Sequence, residues 1–238
     1  MSGPSVAGDR PSTGPPRWGL GDAAAGYTVA FLLMGLAAGA WEALTGRRQP
    51  SLGLLIAVLV GQWTGLAGAA VLASRHKGSG RLADDFGLRI EARDVAPGIA
   101  VGLVSQFVLL PLLYLPFRLL DPDLDLSGEA RRVTQLGRGW GFPLLFICIA
   151  LGAPLVEELF FRGLLQRSLA RRYGPGWAVA GSSLVFGAVH LQPLQLLGLV
   201  AFGAVLGVLA QRSGRLGPGL VAHACFNAAT VLALGRPS

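Results

Sequence analysis

An all-α, polytopic membrane bundle of about seven helices is the fold class this sequence predicts, on two observations. Hydrophobic residues make up 52% of the 238 positions and charged residues only 14%, well below the roughly 25% charged share of soluble domains. The charges also fall in short stretches between long apolar runs, whereas a soluble helix carries polar residues along one whole face.

Residues 1–21 are rich in Pro, Gly and Ser and are read as a flexible tail. No apolar stretch follows a basic start there, so the first hydrophobic helix is expected to be retained rather than removed with a signal peptide. Seven apolar segments come next, at about 22–44, 51–74, 95–120, 141–165, 176–191, 194–212 and 217–235. About 20 helical residues cross the hydrocarbon, which leaves the fifth and seventh near the short limit. Helices are required because unpaired backbone groups in lipid cost several kcal/mol each. The polar stretch 75–94 reads as a loop containing Asp84, Asp85 and Gly87, and 121–139 as an interfacial connection. Gly35/Gly39, Gly61/Gly65 and Gly203/Gly207 have the small-xxx-small spacing of close helix contacts. The chain divides into the tail, N-terminal membrane helices over 22–140 and a core over 141–235.

A net charge of +7 does not point to nucleic acid, because the basic residues sit between helices and form no continuous face. If all seven segments cross, 12 Lys and Arg fall on the N-terminal side and 7 on the other. The positive-inside rule then favours a cytoplasmic N-terminus, in a bacterial cell membrane. Cys148 and Cys225 lie in apolar segments without metal-ligand spacing and read as small buried hydrophobes. No cofactor is expected.

Chemistry concentrates in three segments. Of 13 acidic residues, the ones within apolar runs, apart from Asp22 at the very start of the first, are Glu42, Glu157 and Glu158. Glu42 stands near a segment end beside Trp41 and reads as interfacial. Each intramembrane charge costs roughly 2.5–3.5 kcal/mol at the bilayer centre, so Glu157 and Glu158 should face protein or a wet cavity. Pro154 is expected to open or kink a helix, leaving Glu157 in its first turns. Arg162, four residues after Glu158, can pair with it on one face, while Glu157 points about 100° away.

His190 and Glu157 stand at nearly equal distances from the turn at Tyr173-Gly174-Pro175. In an antiparallel hairpin both lie about 24 Å from it, where a neutral imidazole and a carboxylate could share and deprotonate a water. His223 and Asn227 share a helical face, and both can donate to a developing oxyanion. Straight vertical helices, however, leave His223 about 14 Å from the level of His190, so tilt, a longer turn or a broken helix must close the gap.

Together these motifs resemble the CPBP family, the CAAX-processing and bacteriocin-processing membrane proteases also known as Abi proteins. The resemblance is carried by Glu157-Glu158-x-x-x-Arg162, Phe186-x-x-x-His190 and His223-x-x-x-Asn227, over residues 141–235. It implies an intramembrane glutamic endopeptidase acting on a membrane-associated protein or peptide. Glu157 and His190 would activate water, His223 and Asn227 would stabilise the oxyanion, and Glu158 and Arg162 would support them. The prenylated substrates of eukaryotic relatives do not transfer with the motif, and oligomeric state stays open. The alternatives are a non-catalytic immunity or scaffold protein, a zinc hydrolase lacking the His-Glu-x-x-His run, and a serine protease built on Ser182 or Ser183.

Overall fold

A computed structural model describes residues 16–235 as nine helices. They are α1 (Leu20–Thr45), α2 (Leu52–Lys77), a short α3 (Leu82–Phe86), α4 (Ala92–Leu120), a surface helix α5 (Gly128–Leu136), α6 (Gly139–Tyr173), α7 (Pro175–Val189), α8 (Leu196–Ser213) and α9 (Gly217–Leu234). The chain is a multi-pass helical bundle. Each of the seven expected apolar segments is a helix. Six of them are long and apolar enough to cross a membrane, whereas α7, at 15 residues, is not. The expected polytopic bundle of about seven helices is thus present as six long apolar helices and this shorter one. Residues 1–15 of the expected tail, and Arg236, lie outside the described residues.

The bundle is turned inside out relative to a soluble protein. Phe31, Leu36, Phe107, Leu112, Trp177 and Leu184 are exposed on its outer faces, while Glu158, Arg162, Gln166, Ser182, Ser183 and His223 are buried. Lipid as solvent accounts for both halves of that pattern, because apolar side chains facing tails cost nothing and charges facing them cost several kcal/mol.

Helix ends sort to two sides. At the arginine-rich side, Arg17 N–H donates to Lys77 O (2.7 Å), Leu216 N–H to Gly87 O (2.8 Å) and Arg167 to Gly214 O (2.7 Å). Asp94 accepts two bonds from Arg215 and, as the main cause, holds that guanidinium above its usual range. Gly87 has φ +70°, and a side chain there would collide with Gly214 O and Arg215 Cα. Only glycine combines that conformation with so close an approach. At the other side, Gln195 donates to Leu126 O (2.8 Å), and Glu42 pairs with Arg48 as an interfacial residue should. The N-terminal end of α1 lies on the arginine-rich side.

Two expectations are corrected here. The tail is docked from Trp18 onward: its indole is 3% exposed, packs against Phe86 and lies under the Arg171 guanidinium. Of the three glycine pairs, Gly61/Gly65 fit against Leu33 and Ala30 of α1, and Gly203/Gly207 against Ser183 and Val179 of α7. At Gly35 and Gly39 an added Cβ would meet nothing within 4 Å among the described residues, since spacing alone does not choose the face a helix buries.

Candidate active site

α6 carries the site and is the least regular helix of the bundle. It runs unbroken through 35 residues, about 50 Å, against roughly 30 Å of hydrocarbon. Pro154 therefore does not open a helix, and Glu157 does not sit in a first turn. The proline is absorbed by a π segment over Ile147–Gly152, in which each N–H bonds five residues back. Ala153 N–H donates to Cys148 O, the last bond of that series. The next donor should be residue 154, whose ring nitrogen has no hydrogen. Its intended acceptor, Ile149 O, is taken by Asn227 Nδ2 at 2.9 Å. One proline thus ties the asparagine of α9 to the helix of the glutamates.

A second π segment, Glu158–Gln166, holds the charged cluster. The expected pair on one helix face is present, with Arg162 Nη1 3.0 Å from Glu158 Oε1 and both side chains fully buried. Arg162 Nη2 also donates to Gly203 O (3.2 Å), and Gln166 Nε2 to Gly207 O (2.9 Å), locking α6 to α8. His223 meets both glutamates: Nδ1 is 3.1 Å from Glu158 Oε1 and Nε2 is 3.7 Å from Glu157 Oε2. A carboxylate only accepts, so Nδ1 carries hydrogen, and the longer contact exceeds hydrogen-bond range. The two adjacent carboxylates differ in access. Glu157 is 16% exposed, and Glu158 is 0%.

The 14 Å discrepancy is resolved by an axial offset, not by a broken helix. Gly219 lies against Glu158, Asn227 against Ile149, and Gly235 against Phe142. α9 therefore starts beside the middle of α6, whose remaining turns to Tyr173 project roughly 20 Å beyond Glu158. A Cβ at position 219 would stand 3.0 Å from Glu158 Oε2, so glycine permits the approach.

α6 and α7 form the expected antiparallel ladder: Ser182 donates to Gln166 Oε1 (3.1 Å), and the Arg162 guanidinium lies 4.4 Å from the Phe186 centroid. Four residues on, His190 reaches the level of Glu158. It lies at the end of the short α7, which keeps it at membrane depth. Its Nδ1 is 2.6 Å from Phe186 O, and a carbonyl acceptor requires the hydrogen on Nδ1, which leaves Nε2 with a lone pair. Among the described residues, no carboxylate stands within 4.0 Å of His190; the imidazole beside Glu157 is that of His223.

Phe186 joins the two histidines. Its ring, 1% exposed, lies 4.7 Å from the His190 centroid and 5.9 Å from that of His223. Its position in the Phe-x-x-x-His spacing was the available signal for this role. Phe202, 5.5 Å from His223 on the other side, had none. Ser182 and Ser183 bond Gln166 and Val179 O within the helix packing. Cys148 and Cys225 are free thiols. Among the described residues, no group of three or more His, Cys, Asp and Glu is arranged to hold a metal ion.

This geometry sits inside the region that known proteins share. Residues 139–229 match the family described as type II CAAX prenyl endopeptidase Rce1-like. The chain is also 30% identical over 90 residues to a Bacillus subtilis (strain 168) protein named "Putative membrane peptidase YdiL". That alignment spans 38% of this chain and 37% of the relative, so the shared part is little more than a third of either. No solved structure matches the chain. The Rce1-like segment begins at the start of α6 and ends within α9, and it contains every polar residue of the cluster.

Proposed function

We propose that the chain is a glutamate-dependent intramembrane endopeptidase that cleaves a peptide bond of a membrane-associated substrate. The observation that carries this reading is the unequal access of two neighbouring carboxylates, Glu157 partly open and Glu158 sealed against Arg162 and His223. A base that takes a proton from water must reach water, and Glu157 can.

In this reading Glu157 and His190 hold the attacking water. Glu157 accepts its proton, and His190 offers the Nε2 lone pair left by the bond to Phe186 O. Glu158 is a positioning residue: it accepts from His223 Nδ1 and turns Nε2 toward Glu157. The four groups Glu157, Glu158, Arg162 and His223 are neutral in sum when His223 carries both hydrogens, the state in which Nε2 can donate to an oxyanion. Asn227 uses one amide hydrogen on Ile149 O and keeps the other for the same oxyanion. The proton collected from water then goes to the leaving amine as the carbon–nitrogen bond breaks.

The reading is tested by incubating reconstituted protein with a library of membrane peptides, with and without a chelator. Chelator-resistant cleavage that disappears in Glu157→Gln and in His190→Ala is expected. Equal cleavage by wild type and both variants removes the assignment, and loss on chelation transfers it to a metal hydrolase. A cellular effect kept by both variants favours a binding role.

A further inference from the structure

At the arginine-rich end, a cavity of about 420 Å³ opens between the projecting turns of α6, the end of α8 and the docked Trp18 segment. Arg162, Arg167 and Arg171 all line it. Arg162 is buried and balanced by Glu158, yet its Nε has no hydrogen-bond acceptor among the described residues. The other two guanidiniums are oriented but not neutralised. Arg167 donates to Gly214 O, while Arg171 donates to Trp18 O and stacks 3.7 Å above its ring. Among the described residues, neither has a carboxylate within ion-pair distance. Of the cavity's own acids, Asp84 faces Arg81 and Arg89, while Asp85 accepts from the uncharged Ser74 hydroxyl and Ser79 N–H.

We propose that this cavity, in which the buried Arg162 Nε lacks an acceptor and Arg167 and Arg171 lack a counter-charge, binds a phosphate-type oxyanion. Arg171 is exposed and Arg167 half-buried, so both are open to an incoming anion, and planar forks with fixed backbone anchors match phosphate oxygens. A phosphate also brings more charge and more acceptors than one carboxylate, which suits donors spread over three turns of α6. The source is either a lipid headgroup, given the interfacial position of this end, or phosphate from solution.

Thermal unfolding of the full chain tests this independently of any peptidase activity. Protein in uncharged detergent is titrated with inorganic phosphate against chloride at equal ionic strength. In parallel it is reconstituted into phosphatidylcholine vesicles with or without phosphatidic acid. Binding to the folded state should raise the wild-type midpoint in at least one arm. A response to inorganic phosphate identifies the free anion as a source; a response to phosphatidic acid alone identifies the headgroup. Arg167→Gln and Arg171→Gln should lose the response. Ala170→Glu, which places a carboxylate in the cavity wall, should lose it too while keeping the arginines, and this variant decides the matter if the arginine variants fail to fold. No shift in wild type from either source, a shift produced by acetate and not by phosphate, or an unchanged shift in Ala170→Glu overturns the proposal.

Discussion

Asn227 donates its amide to the Ile149 carbonyl, the acceptor that Pro154 cannot serve. A backbone defect in α6 and a side chain of α9 therefore complete one another across the bundle. The proline that interrupts one helix's hydrogen bonding fixes the depth and rotation of a candidate oxyanion donor on another.

That linkage is measurable as a coupling energy. Asn227→Ala should cost about 1 kcal/mol or more of stability, because it leaves a buried carbonyl open. In a Pro154→Ala background the restored N–H can take that carbonyl, and the second substitution should cost less. A double-mutant cycle by thermal or denaturant unfolding in detergent reads the difference. Strict additivity would mean the two residues act separately.

Glu157 and Glu158 should fail in different ways. Glu158→Ala strands the buried Arg162 and should destabilise the protein by roughly 3–5 kcal/mol, the usual penalty for halving a buried pair. Glu157→Gln keeps a partly exposed polar group and should unfold near the wild-type midpoint while losing cleavage. Unfolding midpoints beside cleavage rates separate the two roles.

Phe186 is expected to be costly to truncate. Phe186→Ala should destabilise the chain by about 3–5 kcal/mol, from the lost burial and the cavity left behind. Phe186→Leu should retain most of the stability yet lower cleavage, because the ring that spaces the two histidines is gone. Equal activity in Phe186→Leu at matched folding would leave the ring with a packing role only.

Leu191, immediately after His190, has φ +54°, a left-handed conformation that a leucine rarely adopts. Its side chain is 80% exposed, so no packing accounts for it. Leu191→Gly should relieve roughly 1–2 kcal/mol of backbone strain and raise the unfolding midpoint. If the strain holds His190 in place, cleavage falls in the same variant.

Most of the fold was legible because lipid enforces a simple code of long apolar runs separated by charge. The segment expected at 22–44 is the helix Leu20–Thr45, and that at 176–191 is Pro175–Val189. The apolar run at 141–165 stops short because Arg167, Arg171 and Arg172 end the pattern, whereas α6 continues past them to Tyr173. That projection decided the depth of His223, and no local signal carried it. The Glu158–Arg162 pair followed from helical spacing alone. The preference of His223 for both glutamates did not, since it depends on how far α9 slides along α6. The π segments were also invisible, apart from the single clue of Pro154.

In the proposed mechanism Glu157 removes a proton from water at a site Glu158 only supports. This step is tested most directly by the cleavage rate of Glu157→Gln in vesicles, beside wild type, at a temperature where both are folded. A loss of at least about a hundredfold is expected, the lower end of what a general base contributes, with an unfolding midpoint close to that of wild type. A folded Glu157→Gln that cleaves at the wild-type rate would contradict it.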